Sequence, residues 1–188
     1  MGRKHCLAGE LWLDHQLLRT MEGASSPKQK VSEIFDLLQH PVYRYLFRLL
    51  GDPGEAEDLE QECFLRLYIC LHKSYAVKNV RAWIFRVAHN LAINHQKRNV
   101  LLDVVDPDVL DLNKDQSPDP EQKALAKEKH ERLQAYLVRL SVQERQCLEL
   151  RAKGLCYREI AKVMGMHLPT VVSFLGRVIR TIGREIHD

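Results

Sequence analysis

Apolar residues recur three and four positions apart along most of this chain. Ile34, Leu37, Leu38, Val42, Tyr45, Leu46, Leu49 and Leu50 follow helical spacing, which predicts a helix over 31–50, bent at Pro41. Gly51-Asp52-Pro53-Gly54 reads as a turn. Ala56, Leu59, Cys63, Leu67 and Cys70 form the apolar stripe of the next helix. After a loop at 74–80, a third helix from Arg81 to about Lys97 turns Ile84, Val87, Ala88 and Leu91 inward. Arg86, His89, Asn90, Asn94 and Lys97 make its polar face. Leu125, Leu133, Tyr136, Leu137 and Leu140 mark a helix over 121–140. Ser141-Val142-Gln143-Glu144 is a capping box, so a new helix starts there and stops at Gly154. Tyr157 to Met164 is helical and Gly165 turns the chain. Pro169 stands in the first turn of a last helix that buries Val171, Leu175, Val178 and Ile182. No segment has the period of a strand, so the fold class is all-α.

The polar stretches divide these helices. Residues 1–28 form an N-terminal extension. Leu11, Trp12, Leu13, Leu17 and Leu18 give it a short amphipathic helix that Gly23 to Pro27 break. Residues 100–122 hold three prolines and seven acids with only scattered apolar residues, which makes them a linker. About 23 residues of coil span roughly 26 Å when relaxed and at most roughly 75 Å when extended. The expected organisation is two small helical domains, 29–99 and 121–188, joined by a flexible acidic linker over 100–120.

Charge is sorted along the chain, although the net value over 188 residues is only +3. Residues 52–62 contain six acids and no Lys or Arg, whereas residues 78–98 contain five cations and no acid. Residues 103–121 carry seven acids against Lys114 alone. Sorted charge implies several partners or surfaces. The five cysteines make no C-x-x-C and read as reduced, mostly buried thiols. No apolar run reaches the roughly 18 residues of a membrane span, and the expected location is the cytoplasm. The nine histidines show no metal spacing, and neither a nucleophile elbow nor a phosphate-cradling glycine loop is present. No catalytic residue, metal site or cofactor is expected.

Two stretches carry candidate chemistry. Ile160, Ala161, Gly165 and Val171 have the offsets of a helix-turn-helix: a small residue for close approach, a glycine turn and an apolar lock. Its second helix would then present Thr170, Ser173, Arg177, Arg180 and Arg184 to DNA. An ordinary three-helix bundle with a solvated basic face is the alternative. Val172 and Phe174 stand where a polar or basic side chain would suit base reading. The second stretch combines Tyr75, Lys78, Asn79, Arg81, Trp83, Arg86 and Asn90. Cations, amides and aromatics together suit opened or single-stranded DNA, although Trp83 in a core and solvated cations explain them equally well. The acids of the second helix suit the positive end of its dipole, but that accounts only for the first few.

Gly51 to Leu67 resembles region two of the extracytoplasmic-function (ECF) group of bacterial sigma factors. The run from Asn79 to His95 continues the resemblance. Leu140 to Ile182 resembles region four, including Tyr157-Arg158-Glu159-Ile160-Ala161 and Gly165. The resemblance covers about 31–98 and 121–184, in the family's order. It implies that Asp58, Leu59, Gln61, Glu62 and Phe64 dock on the β′ clamp of core RNA polymerase, with the β flap as a further contact. It implies that Lys78 and Asn79 lie in the loop that captures a flipped promoter −10 base. Arg81, Arg86 and Asn90 then touch the opened strand. Tyr157, Arg158, Thr170, Ser173, Arg177 and Arg180 fall to the −35 element, and the acidic linker to the polymerase channels. An anti-sigma factor is a further partner that membership implies. Val172 and Phe174 depart from the family's usual Lys and Arg, and Gly176 and Gly183 weaken the last helix.

The resemblance implies a non-enzymatic sigma factor that binds core polymerase, directs it to promoters and assists DNA opening. Two other readings stand beside it. One is a dimeric helix-turn-helix regulator that acts without polymerase. The other is a sigma-like protein that binds polymerase or an anti-sigma factor without reading DNA.

Overall fold

The computed structural model describes residues 8–23, 26–99 and 134–187. Among these residues the chain forms helices and no strand. They are α1 (Ala8–Glu22), α2 (Pro27–Leu50), α3 (Pro53–His72), α4 (Val80–Asn99), α5 (Val142–Ala152), α6 (Tyr157–Met164) and α7 (Leu168–His187), with a short helical stretch at 134–138.

Most boundaries have a local cause. α2 begins four residues before the expected position because Ser26 and Gln29 form a capping box. The Gln29 N–H donates to Ser26 Oγ at 3.3 Å, and the Ser26 N–H donates to Gln29 Oε1 at 3.1 Å. Pro41 lies inside α2, which continues to Leu50. Gly51 then ends the helix in the left-handed conformation, φ 77°. Asp52 accepts the Glu55 N–H at 2.8 Å, so Pro53 and Gly54 belong to the first turn of α3 rather than to a separate turn. Asn79 caps α4 in the same way, accepting the Ala82 N–H at 3.0 Å. The Ser141–Glu144 capping box starts α5 as its sequence predicts. Gly165, at φ 63°, makes the tight turn between α6 and α7.

α2, α3 and α4 pack as a bundle. Its interior holds Ile34, Leu38, Val42, Tyr45, Leu46, Ala56, Cys63, Leu67, Ile84, Phe85 and Ala88. α1 lies against this bundle rather than standing free. Leu17 is buried, the Thr20 hydroxyl donates to the Glu33 carboxylate at 2.9 Å, and Lys30 Nζ donates to the Met21 carbonyl at 2.7 Å. α5, α6 and α7 form a second unit around Cys147, Leu150, Leu155, Ile160, Val163, Val171, Leu175 and Val178.

The two units touch. α4 packs on α6, and one buried apolar cluster runs through both. The expected linker and the residues of the 121–140 helix before 134 lie outside the described residues. Among the described residues no helix is long and apolar enough to cross a membrane.

Two expected faces are redrawn. The buried stripe of α3 includes Glu60 and Phe64, whereas Leu59 and Cys70 are only half-buried. His89 leaves the polar face of α4 for the interior, where its Nδ1 lies 2.9 Å from the Tyr45 hydroxyl. Burial holds its pKa below the ordinary histidine value, so the ring is neutral there.

Candidate functional site

Three surfaces carry the side chains that the sequence singles out. On α3, helical register turns Asp58 and Gln61 to solvent and leaves Glu62 half-exposed. Glu62 accepts from Arg66 Nε at 2.6 Å, an exposed pair one turn apart. Phe64, expected among the docking residues, lies on the inner side of α3. It is 5% exposed and meets Phe35 edge-on at 4.8 Å, so it anchors α3 to α2. Leu59 is half-buried against the same core. Leu65 and Ile69, 53% and 43% exposed, extend the line of Asp58 and Gln61 by helical spacing. The face thus runs from acid into exposed apolar surface. Sequence reading passed over both, although their position off the core stripe was a usable signal.

The second surface is the loop before α4 and the outer side of that helix. Lys78 is exposed. Asn79 is engaged at both ends of its amide. Its oxygen caps α4, and its Nδ2 donates to Glu159 Oε1 at 2.7 Å. Arg81, expected on the opened strand, is 2% exposed, and its Nη1 donates to the Lys153 carbonyl at 3.3 Å. Arg86 and Asn90 remain exposed. With Asn94 and Lys97 they line a cleft of about 400 Å³ whose far wall is Lys162 and Gly165 of the helix-turn-helix. The cleft collects three cations and two amides, a lining suited to anions.

The third surface is α6 and α7. Tyr157 is half-buried and Arg158 exposed at the start of α6. Along α7, Ser173, Arg177 and Arg180 point outward, and Thr170 is half-buried. Arg177 donates to Glu144 and lies 5.7 Å from the centre of the Phe174 ring. Phe174 therefore packs inward beneath Arg177, whereas Val172 stays 45% exposed on α7. Burial pushes the Glu144 carboxyl up, but its bonds to Ser141 and the Arg177 charge outweigh that and hold its pKa below the ordinary value.

Of the described cysteines, Cys63 and Cys147 are buried as packing residues, whereas Cys70 is half-buried and Cys156 is exposed. Burial raises Cys63 to about 12 and Cys147 to about 11, so both are thiols at neutral pH. No group of His, Cys, Asp or Glu among the described residues is placed to hold a metal ion.

The contact between the units has polar members that sequence reading missed. Arg48 Nη1 of α2 meets Glu149 Oε1 of α5 at 2.7 Å, with the Glu149 side chain only 8% exposed. Burial raises the Glu149 pKa, against the opposing pull of Arg48, Lys153 and Arg44. An acid inside an otherwise ordinary amphipathic helix gives no hint of a partner 101 positions away.

Comparison with known proteins joins these surfaces to one class. Residues 34–100 match Sigma-70 region 2, and residues 130–182 match Sigma-70 region 4. The chain is 31% identical over 158 residues to the ECF RNA polymerase sigma factor BldN of Streptomyces coelicolor, covering 82% of this chain and 60% of BldN. It is 32% identical over 151 residues to the ECF RNA polymerase sigma factor SigM of Bacillus subtilis, covering 78% of this chain and 89% of SigM. The fold is similar to that of CnrH, solved in complex with the cytosolic domain of CnrY. That match has a TM-score of 0.55 and 16% identity and covers 93% of this chain and 98% of the other. The chain belongs to the ECF group of the sigma-70 family of RNA polymerase sigma factors.

Proposed function

We propose that this chain binds core RNA polymerase, directs it to specific promoters and assists DNA opening, with no catalysis of its own. The observation that carries the reading is the presence of both sigma regions, in order, on one chain with oppositely charged faces. The α3 face of Asp58, Gln61 and Glu62 is the polymerase-docking surface, with Leu59 shaping it from below and Leu65 and Ile69 extending it. Lys78, Asn79, Arg81, Arg86 and Asn90 serve the −10 element, and Tyr157, Arg158, Thr170, Ser173, Arg177 and Arg180 the −35 element. Each DNA contact is weak alone. Polymerase holding both modules on one duplex raises the effective concentration of the second contact after the first. The working location is the cytoplasm, where polymerase and promoter are, and an anti-sigma factor is the regulator expected of this family.

A pull-down on core polymerase tests the reading. Wild type is retained, and the double variant Asp58→Arg, Glu62→Arg is lost because reversed charges now face a partner built for acids. Failure of folded wild type to bind would turn the reading toward a stand-alone regulator.

A further inference from the structure

We infer that the cleft between α4 and α6 is a binding site for a small polyphosphorylated ligand of the nucleotide class. Three cations from two helices surround one space of about 400 Å³. Arg86 and Lys97 come from α4 and Lys162 from α6, and no carboxylate lines the cleft. Among the described residues none of the three is paired with an acid. Cations grouped without acids repel one another, so a multiply charged anion stabilises the group more than a single charge does. Helical spacing aligns the α4 members. Arg86, Asn90, Asn94 and Lys97 follow at intervals of four, four and three positions, which puts them on one face.

The rest of the lining fits the rest of a nucleotide. The side-chain amides of Asn90 and Asn94 offer both donors and acceptors, as the edge of a base or a ribose requires. Ile93, Val163 and Met164 give the cleft an apolar strip for the flat face of a ring. Small-ligand sites join a few polar groups to such apolar surface, in volumes of roughly 300–1,000 Å³. His89 is the fixed point of the cleft. It is 6% exposed, it belongs to the lining, and its Nδ1 lies 2.9 Å from the Tyr45 hydroxyl. Nε2 is therefore the ring atom left for a ligand. Arg86 and Asn90 are also assigned to the opened −10 strand, so ligand and strand exclude each other. That consequence rests on the proposed −10 role, whereas the site itself does not.

Titration of the full chain with ATP tests the site, followed by calorimetry and by the His89 ring resonances. Saturable binding of a single ATP per chain is expected, together with a shift of the His89 resonances. Lys97 and Lys162 are exposed and are assigned to neither polymerase nor DNA. Lys97→Ala and Lys162→Ala are each expected to weaken ATP binding about tenfold, through loss of one charge-assisted contact. The corresponding Gln variants, which keep more of the stem, replace them if circular dichroism shows loss of helix. Inorganic tripolyphosphate carries the same anionic chemistry without a base, and is expected to bind about tenfold more weakly than ATP. Equal binding of the two overturns the nucleotide assignment. No saturable binding, or binding that neither lysine variant weakens, overturns the site. At constant ionic strength, ATP is expected to displace mixed-sequence single-stranded DNA from wild type, read by fluorescence anisotropy. Displacement from Lys162→Ala is expected to need about tenfold more nucleotide. ATP that binds without displacing the strand overturns the shared use of Arg86 and Asn90. A chain that captures neither strand nor core polymerase overturns the proposed function, and the ATP titration alone then decides the site.

Discussion

Glu60 is the most consequential single side chain outside the proposed interfaces. It is 5% exposed on the inner side of α3, and its Oε1 has no hydrogen-bond partner among the described residues. Burial, and secondarily the Glu57 charge, raise its pKa from the usual 4.5 to about 7. The unfolded chain gives up this proton near the ordinary value, and the folded chain holds it until about 7. Folding stability therefore falls as pH rises between these two values, and the cost persists above them. Glu60→Gln removes the titration while keeping the shape. Thermal unfolding of the variant should show a higher melting temperature than wild type at pH 8, worth on the order of 2 kcal/mol, and little difference at pH 5. An equal shift at both values would assign the effect to packing. Asp58, Glu60 and Glu62 look alike in a list of acids. Helix register separates them, because Glu60 stands one turn from Ala56 and one turn from Phe64. The same register shows why Phe64 belongs to the core and Asp58 to the surface.

Among the elements, α7 holds the widest gap between what its sequence offers and what the proposed role asks. It needs a firm recognition helix, yet Gly176 and Gly183 lie within it, and a Cβ built on either meets nothing within 4 Å. Alanine fits both positions without strain. Gly176→Ala and Gly183→Ala should each raise stability by about 1 kcal/mol in chemical denaturation, through the lower entropy of the unfolded chain and better helix propensity. Loss of stability at either would reveal a crowded neighbour. The second weakness is electrostatic. Arg177 is held by Glu144, the residue that also closes the α5 capping box, so contact with DNA must compete with that pair. Arg177→Ala is expected to lower transcription from a matched promoter several-fold, and an unchanged output would favour a chain that binds polymerase without reading the −35 element. Much at this scale was legible. Ser141-Val142-Gln143-Glu144 and Gly165 announced the boundaries they make. The start of α2 was missed because its cap, Ser26 to Gln29, precedes the apolar periodicity and sits beside Pro27. The bond between Glu144 and Arg177 was not legible, since the two are 33 positions apart on different helices.

At the scale of the whole molecule, periodicity located two helical units but not the contact between them. A helix face that packs on a second unit looks, in sequence, like one that packs within its own. Arg48, Glu149, Asn79 and Glu159 all carry side chains common on solvated helix surfaces and caps. Their pairing depends on how α4 meets α6, which no local pattern encodes. The physical consequence concerns cooperativity. Two domains tied only by a flexible linker unfold independently, each at its own temperature. Here one apolar cluster passes through both units, and Glu149 is buried at the junction with Arg48 as its ion-pair partner. Unfolding either unit would expose apolar surface on the other and leave that carboxylate without its partner. Removing one member of a buried pair costs about 3–5 kcal/mol, and less here because the Arg48 side chain is 33% exposed. A coupling of even 2 kcal/mol is a large fraction of a small unit's stability. Calorimetry of the wild type should therefore give one transition whose calorimetric and van't Hoff enthalpies agree. Arg48→Glu should split it into two, and the compensating Glu149→Arg exchange should bring them together again. Two transitions in the wild type would mean that the units stabilise themselves separately and that their contact, however well paired, contributes little to holding the chain closed.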